Sequence, residues 1–454
     1  RGLCRRMLRT RELRPFARCS HLVRAREAAL SRPSPPAPEG QRPCGVGWLP
    51  LYAADARQPF APAASSGPWI VTTAGGTVYD AGGYGMLAFG HNPPAVARAL
   101  AAPQHQANIM TPNAAQDAFA RALWPHVGRR VVVACLNSGS EANSLALRVA
   151  NTHREPRPVV VALKGSFHGR TEGPAAVSHS TLAAYRAHLA RYAADADGAA
   201  DVRWLEPNDV AGAHALFDEL RASGRFPECA ILEGVLGEGR PATPLTPAFY
   251  AAVHERTRDA GGLVLVDSVQ AGLRCYGGAL SIVDAPGFEH APRPDMETFA
   301  KAVHGGQFPV SILALGDRAA ARYAAGTYGN TMAATPRALD VVRACLGEMT
   351  PDVRRNVRER GAQLRRLLEE ACADQFVDEV RGAGLLLAIK LRDPRAAPRA
   401  ERALREQGLN VIRGGEGCLR LTPWFHMSAA EARLVQGVVR RVLGRRGLLG
   451  RPTP

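Results

Sequence analysis

Through the middle of the chain one pattern recurs: a short run of β-branched and aliphatic residues, then small and polar residues, then positions spaced for a buried helix face. Val131-Val-Val-Ala-Cys135 runs into Asn137-Ser-Gly-Ser-Glu-Ala-Asn143, after which Ala142, Leu145, Ala146 and Val149 share one face. Val159-Val-Val-Ala-Leu163 precedes Lys164-Gly-Ser-Phe-His-Gly-Arg170, and Ala230-Ile-Leu232 precedes Glu233-Gly-Val-Leu-Gly-Glu-Gly239. Leu263-Val-Leu-Val266 precedes Asp267-Ser-Val-Gln270. Strands alternating with helices predict the α/β class, with a mainly parallel sheet covered on both faces. Ligands of such sheets lie beyond the carboxyl ends of the strands, so the four polar clusters are expected to converge.

On either side of this region the pattern changes. Trp69 to Asp80 reads as a hairpin around Ala74-Gly-Gly76. Gly82-Gly-Tyr-Gly85 and Gly90-His-Asn-Pro-Pro94 suit either close approach to a ligand or plain turns. After about residue 340 the period becomes helical. In Asp352 to Ala371, Val353, Val357, Leu364, Leu367 and Leu368 fall on one face and the arginines on a solvated one. Gly384 to Lys390 and Cys418 to Thr422 read as strands of a smaller α+β domain. The chain therefore divides into a leader (1–47), a segment packing with the small domain (48–100), a large domain (101–340) and a small domain (341–454), with no internal repeat.

Composition alters this picture mainly at the start. The chain has 454 residues, 46% hydrophobic and 22% charged, enough for a large core. A formal net charge of +16 would suggest nucleic acid, but half of it lies in residues 1–47, where eleven arginines face three glutamates. The remainder lacks aromatic interleaving, so no nucleic-acid partner is expected and a non-enzymatic basic binding protein is the weaker reading. The leader runs into Ser31-Arg-Pro-Ser-Pro-Pro-Ala-Pro-Glu-Gly40, which cannot sustain a helix or strand, and is expected to be disordered. It reads equally as an organelle transit peptide or as a loose extension. The expected location is cytoplasmic, or the mitochondrial or plastid matrix if the leader is a transit peptide. Nine scattered cysteines without a Cys-x-x-Cys pair argue against a disulfide framework and a zinc site. No apolar run approaches the roughly 18 residues needed to span a bilayer, so no membrane partner is expected.

The candidate chemistry centres on Lys301, which follows the apolar turn Met296 to Ala300 and precedes Gly305-Gly306. A lone lysine is most often a solvated charge. Combined with the strand-terminal Asp267 and with Ser138-Gly139-Ser140 at a helix start, it suggests pyridoxal 5′-phosphate. That cofactor needs a lysine to hold its aldehyde as a Schiff base, a carboxylate for its ring nitrogen and an anion site for its phosphate. A helix start offers free N–H groups and the positive end of the dipole, though Ser and Gly are also ordinary N-caps.

Five stretches taken in order resemble the motif set of class-III (ω, subgroup II) pyridoxal-phosphate-dependent aminotransferases over roughly residues 69 to 425. They are Asn137 to Asn143, Phe167-His-Gly-Arg-Thr171, Glu233 to Gly239, Asp267-Ser-Val-Gln-Ala-Gly272 and Asp295 to Lys301. The resemblance implies the fold type I architecture, a large domain plus a smaller α+β domain, and assigns roles. Lys301 would form the Schiff base and then shuttle a proton between substrate and cofactor. Asp267 would pair with the ring nitrogen, Val269 and Phe167 would cover the two ring faces, and His168 would complete the cofactor shell. Gln270 would bind the phenolic oxygen, and Ser138, Gly139 and Ser140 the phosphate. A looser match at Thr331-Met-Ala-Ala-Thr-Pro336 would make Thr331 a phosphate ligand in the neighbouring subunit of a homodimer.

Arg420 resembles the arginine that grips the α-carboxylate of glutamate or 2-oxoglutarate, a task its planar fork suits, and Glu238 resembles the glutamate that neutralises it. An ordinary surface pair is the plain alternative. Arg170 could also take a substrate carboxylate. The implied activity is ping-pong transfer of an amino group between an amino acid or ω-amine donor and a keto acid acceptor. A decarboxylase, racemase or aminomutase on the same fold is the alternative. Asp267-Ser-Val-Gln270 replaces the usual Asp-Glu-Val-Gln, Glu233-Gly-Val-Leu-Gly-Glu238 the usual Glu-Pro-Val-Gln-Gly-Glu, and Thr335-Pro336 the usual Asn-Pro. These departures bear on the substrate side, so specificity for acetylornithine, ornithine, 4-aminobutyrate or lysine does not carry over. Cys275 is expected to be a small buried hydrophobe.

Overall fold

The computed structural model describes residues 13–16, 19–31, 58–105, 107, 109–128, 131–151, 157–189, 192, 201–372 and 375–445. Its centre is a seven-stranded sheet in the order Val131–Leu136, Ser311–Leu315, Met296–Phe299, Leu263–Asp267, Phe226–Glu233, Pro158–Leu163, Val202–Leu205. The last five pair in parallel, and Ser311–Leu315 runs antiparallel to both of its neighbours. Alternate residues feed two separate cores: Val160, Ala162, Ile231 and Leu265 on one side, Val161, Leu163, Leu232 and Val266 on the other. Burial on both faces explains why these strands read as unbroken apolar runs.

Met296–Phe299 corrects one expectation: it is a fully buried strand, where the sequence suggested a turn. Glu297 masks the apolar run, yet it has its own partners. Its carboxylate accepts from Ser268 Oγ at 2.7 Å, Ser281 Oγ at 2.7 Å and the Ile282 amide at 3.0 Å, which offsets the cost of burying it.

A second, antiparallel sheet holds Val377–Ala383, Leu386–Leu391, Cys418–Leu421 and Ile412–Arg413, packed beside the long helices Pro351–Ala371 and Ala429–Leu443. A third joins distant parts of the chain. Pro62–Ser66, Trp69–Thr72 and Thr77–Asp80 form an antiparallel set, and Leu409–Asn410 adds to its edge in parallel with Thr77–Asp80. The seven described cysteines are free thiols, and Cys275 is buried. Among the described residues no helix is long and apolar enough to cross a membrane, and no group of three or more His, Cys, Asp or Glu side chains is placed to hold a metal ion.

The disorder expected throughout residues 1–47 does not hold. Arg14–Phe16 is a 3-10 turn and Ser20–Ser31 an α-helix. Leu22 and Ala25, spaced i and i+3, are buried, while Arg24 and Arg26 face outward, so a narrow apolar stripe was hidden by arginine-rich composition. The Phe16 ring lies 5.3 Å from Trp69 and the His21 ring meets Trp424 edge-on at 5.0 Å. Gly67, at φ +55°, passes directly beneath His21, where any Cβ would come within 2.6 Å of the imidazole. The Pro-rich stretch after Ser31 lies outside the described residues. Leu22→Ala is expected to lower stability by about 2–5 kcal/mol in denaturant unfolding, because it opens a cavity in a packed contact; an unchanged midpoint would mean that this helix is not docked in solution.

Candidate active site

Five strands of the central sheet deliver polar residues to one end, and together these line a cavity of about 440 Å³. Ser138, Gly139 and Ser140 reach it from the first strand, Phe167 and His168 from the second, and Glu233 from the third. Asp267, Val269 and Gln270 follow the fourth, and Lys301 follows Met296–Phe299. The convergence expected from the strand-helix alternation is therefore observed.

Lys301 opens a short 3-10 turn with a left-handed φ of +50°, a conformation that strained functional positions tend to retain. Its Nζ donates to Gln270 Oε1 at 3.0 Å. Burial, then the positive charge of Arg420, pushes its pKa down to about 8, against the opposing pull of Glu238, Asp267 and Glu233. A buried amine of this kind is an accessible nucleophile near neutral pH.

Asp267 is held on three sides. Oδ2 accepts from Asn143 Nδ2 and His168 Nδ1, both at 2.8 Å, and Oδ1 accepts from the Val269 amide at 3.0 Å. Asn143 is itself fixed, because Thr298 Oγ1 donates to its Oδ1 at 2.8 Å. Glu233 accepts from the Phe167 amide at 2.8 Å and the Gly237 amide at 2.9 Å. Burial raises its pKa to about 7, with His168 opposing and Asp267 reinforcing the rise. The site thus pairs a fixed acceptor, Asp267, with a depressed amine across one cavity.

Ser138 caps the helix Gly139–Ala150, its Oγ accepting from the Glu141 amide at 3.3 Å, so the helix start faces the cavity as required of an anion site. A Cβ at Gly139 would come 2.9 Å from Val269 Cγ2, which leaves room there for backbone only. Several buried donors in and around the cavity lack hydrogen-bond partners among the described residues: Gln270 Nε2, and Nε and Nη2 of Arg420. Arg420 is fully buried, sits 2.9 Å from Glu238 Oε2 through Nη1, and also donates from Nη1 to the Gly237 carbonyl. It is no surface pair, and its two open donors are the arrangement that accepts a carboxylate. The cavity's strand-end carboxylate, buried amine and helix start are the three parts that pyridoxal phosphate requires, so the residues present fit that group.

Four predicted residues, Arg170, Glu238, Thr331 and Arg420, are not among those lining the Lys301 cavity; Glu238 and Arg420 form the ion pair described above. Thr331 is exposed on the segment before Pro336–Glu348 and does not line the Lys301 cavity. Arg170 is exposed, with its guanidinium 6.0 Å from the Phe167 ring centroid. Asn143, Glu233 and His304 line the cavity without having been singled out from the sequence. A signal existed for Asn143, a polar residue inside the apolar helix stripe of Ala142, Leu145 and Ala146. Glu233, an acid that ends an apolar strand, had the same signal as Asp267.

The family model described as aminotransferase class-III matches residues 51–443. An acetylornithine aminotransferase from Vibrio parahaemolyticus is 31% identical over 370 residues, covering 77% of this chain and 85% of that protein. A diaminobutyrate–2-oxoglutarate aminotransferase from Haemophilus influenzae is 29% identical over 399 residues, covering 79% and 84%. Among solved structures, the ornithine aminotransferase from Toxoplasma gondii ME49 superposes with a TM-score of 0.75 at 21% identity, covering 86% of this chain and 91% of that one.

Proposed function

This chain belongs to the class-III aminotransferases, and from that premise we propose how its own residues carry out the transfer and on what class of substrate. The enzyme depends on pyridoxal 5′-phosphate and moves an amino group from an amine-bearing donor to a keto acid. When bound, the cofactor supplies an aldehyde for the amine and a ring that takes up the electron pair freed at the substrate carbon. Lys301 Nζ would anchor it and, as a free amine, would remove and return the proton at the substrate carbon. Asp267, fixed by Asn143, His168 and the Val269 amide, would keep the ring nitrogen protonated. Val269 and Phe167, which line the cavity, would hold its ring, Gln270 would hydrogen-bond its phenolic oxygen, and the Ser138-Gly139-Ser140 helix start would hold its phosphate.

The observation that carries this reading is the depressed Lys301 amine sharing one cavity with a threefold-held carboxylate. Arg420 takes the α-carboxylate of glutamate or 2-oxoglutarate, and Glu238 receives it when a substrate without that group is bound. The donor is an amino acid or ω-amine. Relatives named for acetylornithine and for diaminobutyrate with 2-oxoglutarate support this class. The functional unit is a homodimer in which Thr331 reaches the neighbouring subunit's phosphate site; exposed Met110 and Met332, 79% and 47% accessible, support a covered face there. The location is cytoplasmic, or the mitochondrial or plastid matrix if residues 1–47 are a transit peptide. The packing of Leu22 and Ala25 favours a mature chain that keeps the Ser20–Ser31 helix.

The test is a donor panel with the cofactor-loaded protein and 2-oxoglutarate, reading glutamate. Glutamate from at least one donor is expected. None from any, with release of CO2 or loss of substrate chirality instead, would transfer the site to the decarboxylase or racemase reading.

A pH dependence follows from the Lys301 amine. In the cofactor-free protein the rate of cofactor capture should rise with pH around a midpoint of about 8, where an ordinary lysine would show 10.5. Between these values the unfolded chain binds the Lys301 proton and the folded chain does not. This group's contribution to stability therefore rises with pH across that window and is flat below it. Urea midpoints of the cofactor-free protein from pH 8 upward should lose this component of the slope in Lys301→Met.

A further inference from the structure

The proposed roles leave one wall of the Lys301 cavity without a task. Met86, His304, Gln307, Phe308 and Pro309 form it. His304 closes the turn that Lys301 opens, and two left-handed glycines follow, Gly305 at φ +59° and Gly306 at +71°. They fold the chain back so that the Gly306 amide lies 3.1 Å from His304 Nδ1. A backbone N–H can only donate, so Nδ1 must accept, and the proton of the neutral ring sits on Nε2. No described residue hydrogen-bonds that Nε2. Burial, then the charge of Lys301, holds the imidazole down to about 4, against a weaker pull from its own backbone carbonyl. The ring is therefore neutral at working pH and Nε2–H is a standing donor.

The surroundings of His304 connect it with the substrate end of the cavity. A Cβ at Gly306 would come 3.1 Å from Leu87 Cδ2, so the turn lies against the segment Tyr84 to Leu87. The same segment carries Tyr84, whose ring centroid is 5.7 Å from the Arg420 guanidinium, and Gly85, whose amide donates to Thr422 Oγ1 at 3.1 Å. His304 and Arg420 thus flank one short segment, while the helix start at Ser138 belongs to another element.

We propose that His304 is a specificity-determining residue whose Nε2–H donates to a second acceptor oxygen of the substrate, a carboxylate or carbonyl remote from the carboxylate that Arg420 holds. The inference rests on the aminotransferase reading of the same cavity. It assigns the site to substrates with oxygen at both ends, and a neutral donor of this kind selects by geometry more than by charge.

The test uses the cofactor-loaded enzyme and two acids that cannot react, glutarate and butyrate, which differ in the second carboxylate. Binding is read from the perturbation of the cofactor's visible absorption. His304→Ala and His304→Phe should weaken glutarate by about 3- to 10-fold, the worth of one neutral hydrogen bond, and leave butyrate and cofactor affinity unchanged. His304→Gln, which keeps an N–H donor, should recover most of the loss. Equal effects on the two acids, release of cofactor, or unchanged glutarate binding in all variants would overturn the assignment. Glutarate binding needs no turnover, so a wild-type enzyme that makes no glutamate would refute the transamination reading while this comparison still reports on His304.

Discussion

Lys301→Ala should lower kcat for glutamate formation by at least about 10⁴-fold, because one substitution removes both the covalent anchor and the group that moves the proton. The loss should appear in single-turnover measurements as well as in the steady state, since both half-reactions use the same amine. Stability should move the other way. Lys301 is half-buried with its pKa held near 8, so deleting it removes a poorly solvated cation and leaves only Gln270 Oε1 without its donor. The variant should melt at or above the temperature of the cofactor-free wild type, which separates lost chemistry from lost folding. Undiminished turnover would mean that another amine carries the reaction.

Asp267→Asn should reduce kcat by about 10²–10³-fold even at saturating cofactor, since it removes a preorganised charge where positive charge must be held. It carries a structural cost too. The carboxylate now satisfies Asn143 Nδ2, His168 Nδ1 and the Val269 amide, and an amide in its place can present at most one acceptor oxygen to these three donors. About 1–3 kcal/mol of stability should be lost with it. Comparing kcat at saturating cofactor with the cofactor dissociation constant separates the two effects. If kcat recovers fully once cofactor saturates, Asp267 only holds the group and does not tune it.

Much of this site could be read along the chain because its parts are local. Asp267 ends a strand, Lys301 stands before paired glycines, and Ser138 to Ser140 start a helix, each marked by neighbours within a few residues. The remainder depends on distance in space. Arg420 was visible as an arginine, but its full burial and two open donors emerge only when Gly237 and Glu238 are brought against it. His304 looked like one residue in a glycine-rich turn until two left-handed backbones aimed an amide at its ring. Met296–Phe299 was obscured because Glu297 finds its partners 16 and 29 residues away in sequence. The Ser20–Ser31 helix was obscured because only two apolar contacts, Leu22 and Ala25, dock it, and they lie in an arginine-rich stretch.

The edge strand Leu409–Asn410 also sets a timetable for synthesis. Asp80 Oδ1 accepts from Asn410 Nδ2 at 2.9 Å across 330 residues, the Ala81 amide donates to the Asn410 carbonyl at 3.0 Å, and the Thr422 amide returns a bond to the Ala81 carbonyl at 2.7 Å. None of these can form while residues 410–422 are still inside the ribosome, so the segment that walls the cavity near Tyr84 waits for them. Pairings of such long range are slow to close and leave an apolar hairpin exposed in the meantime. The nascent protein can therefore assemble the helix start at Ser138 and Asp267 well before it can enclose a substrate, and a chain stalled short of residue 410 would display half of a pocket.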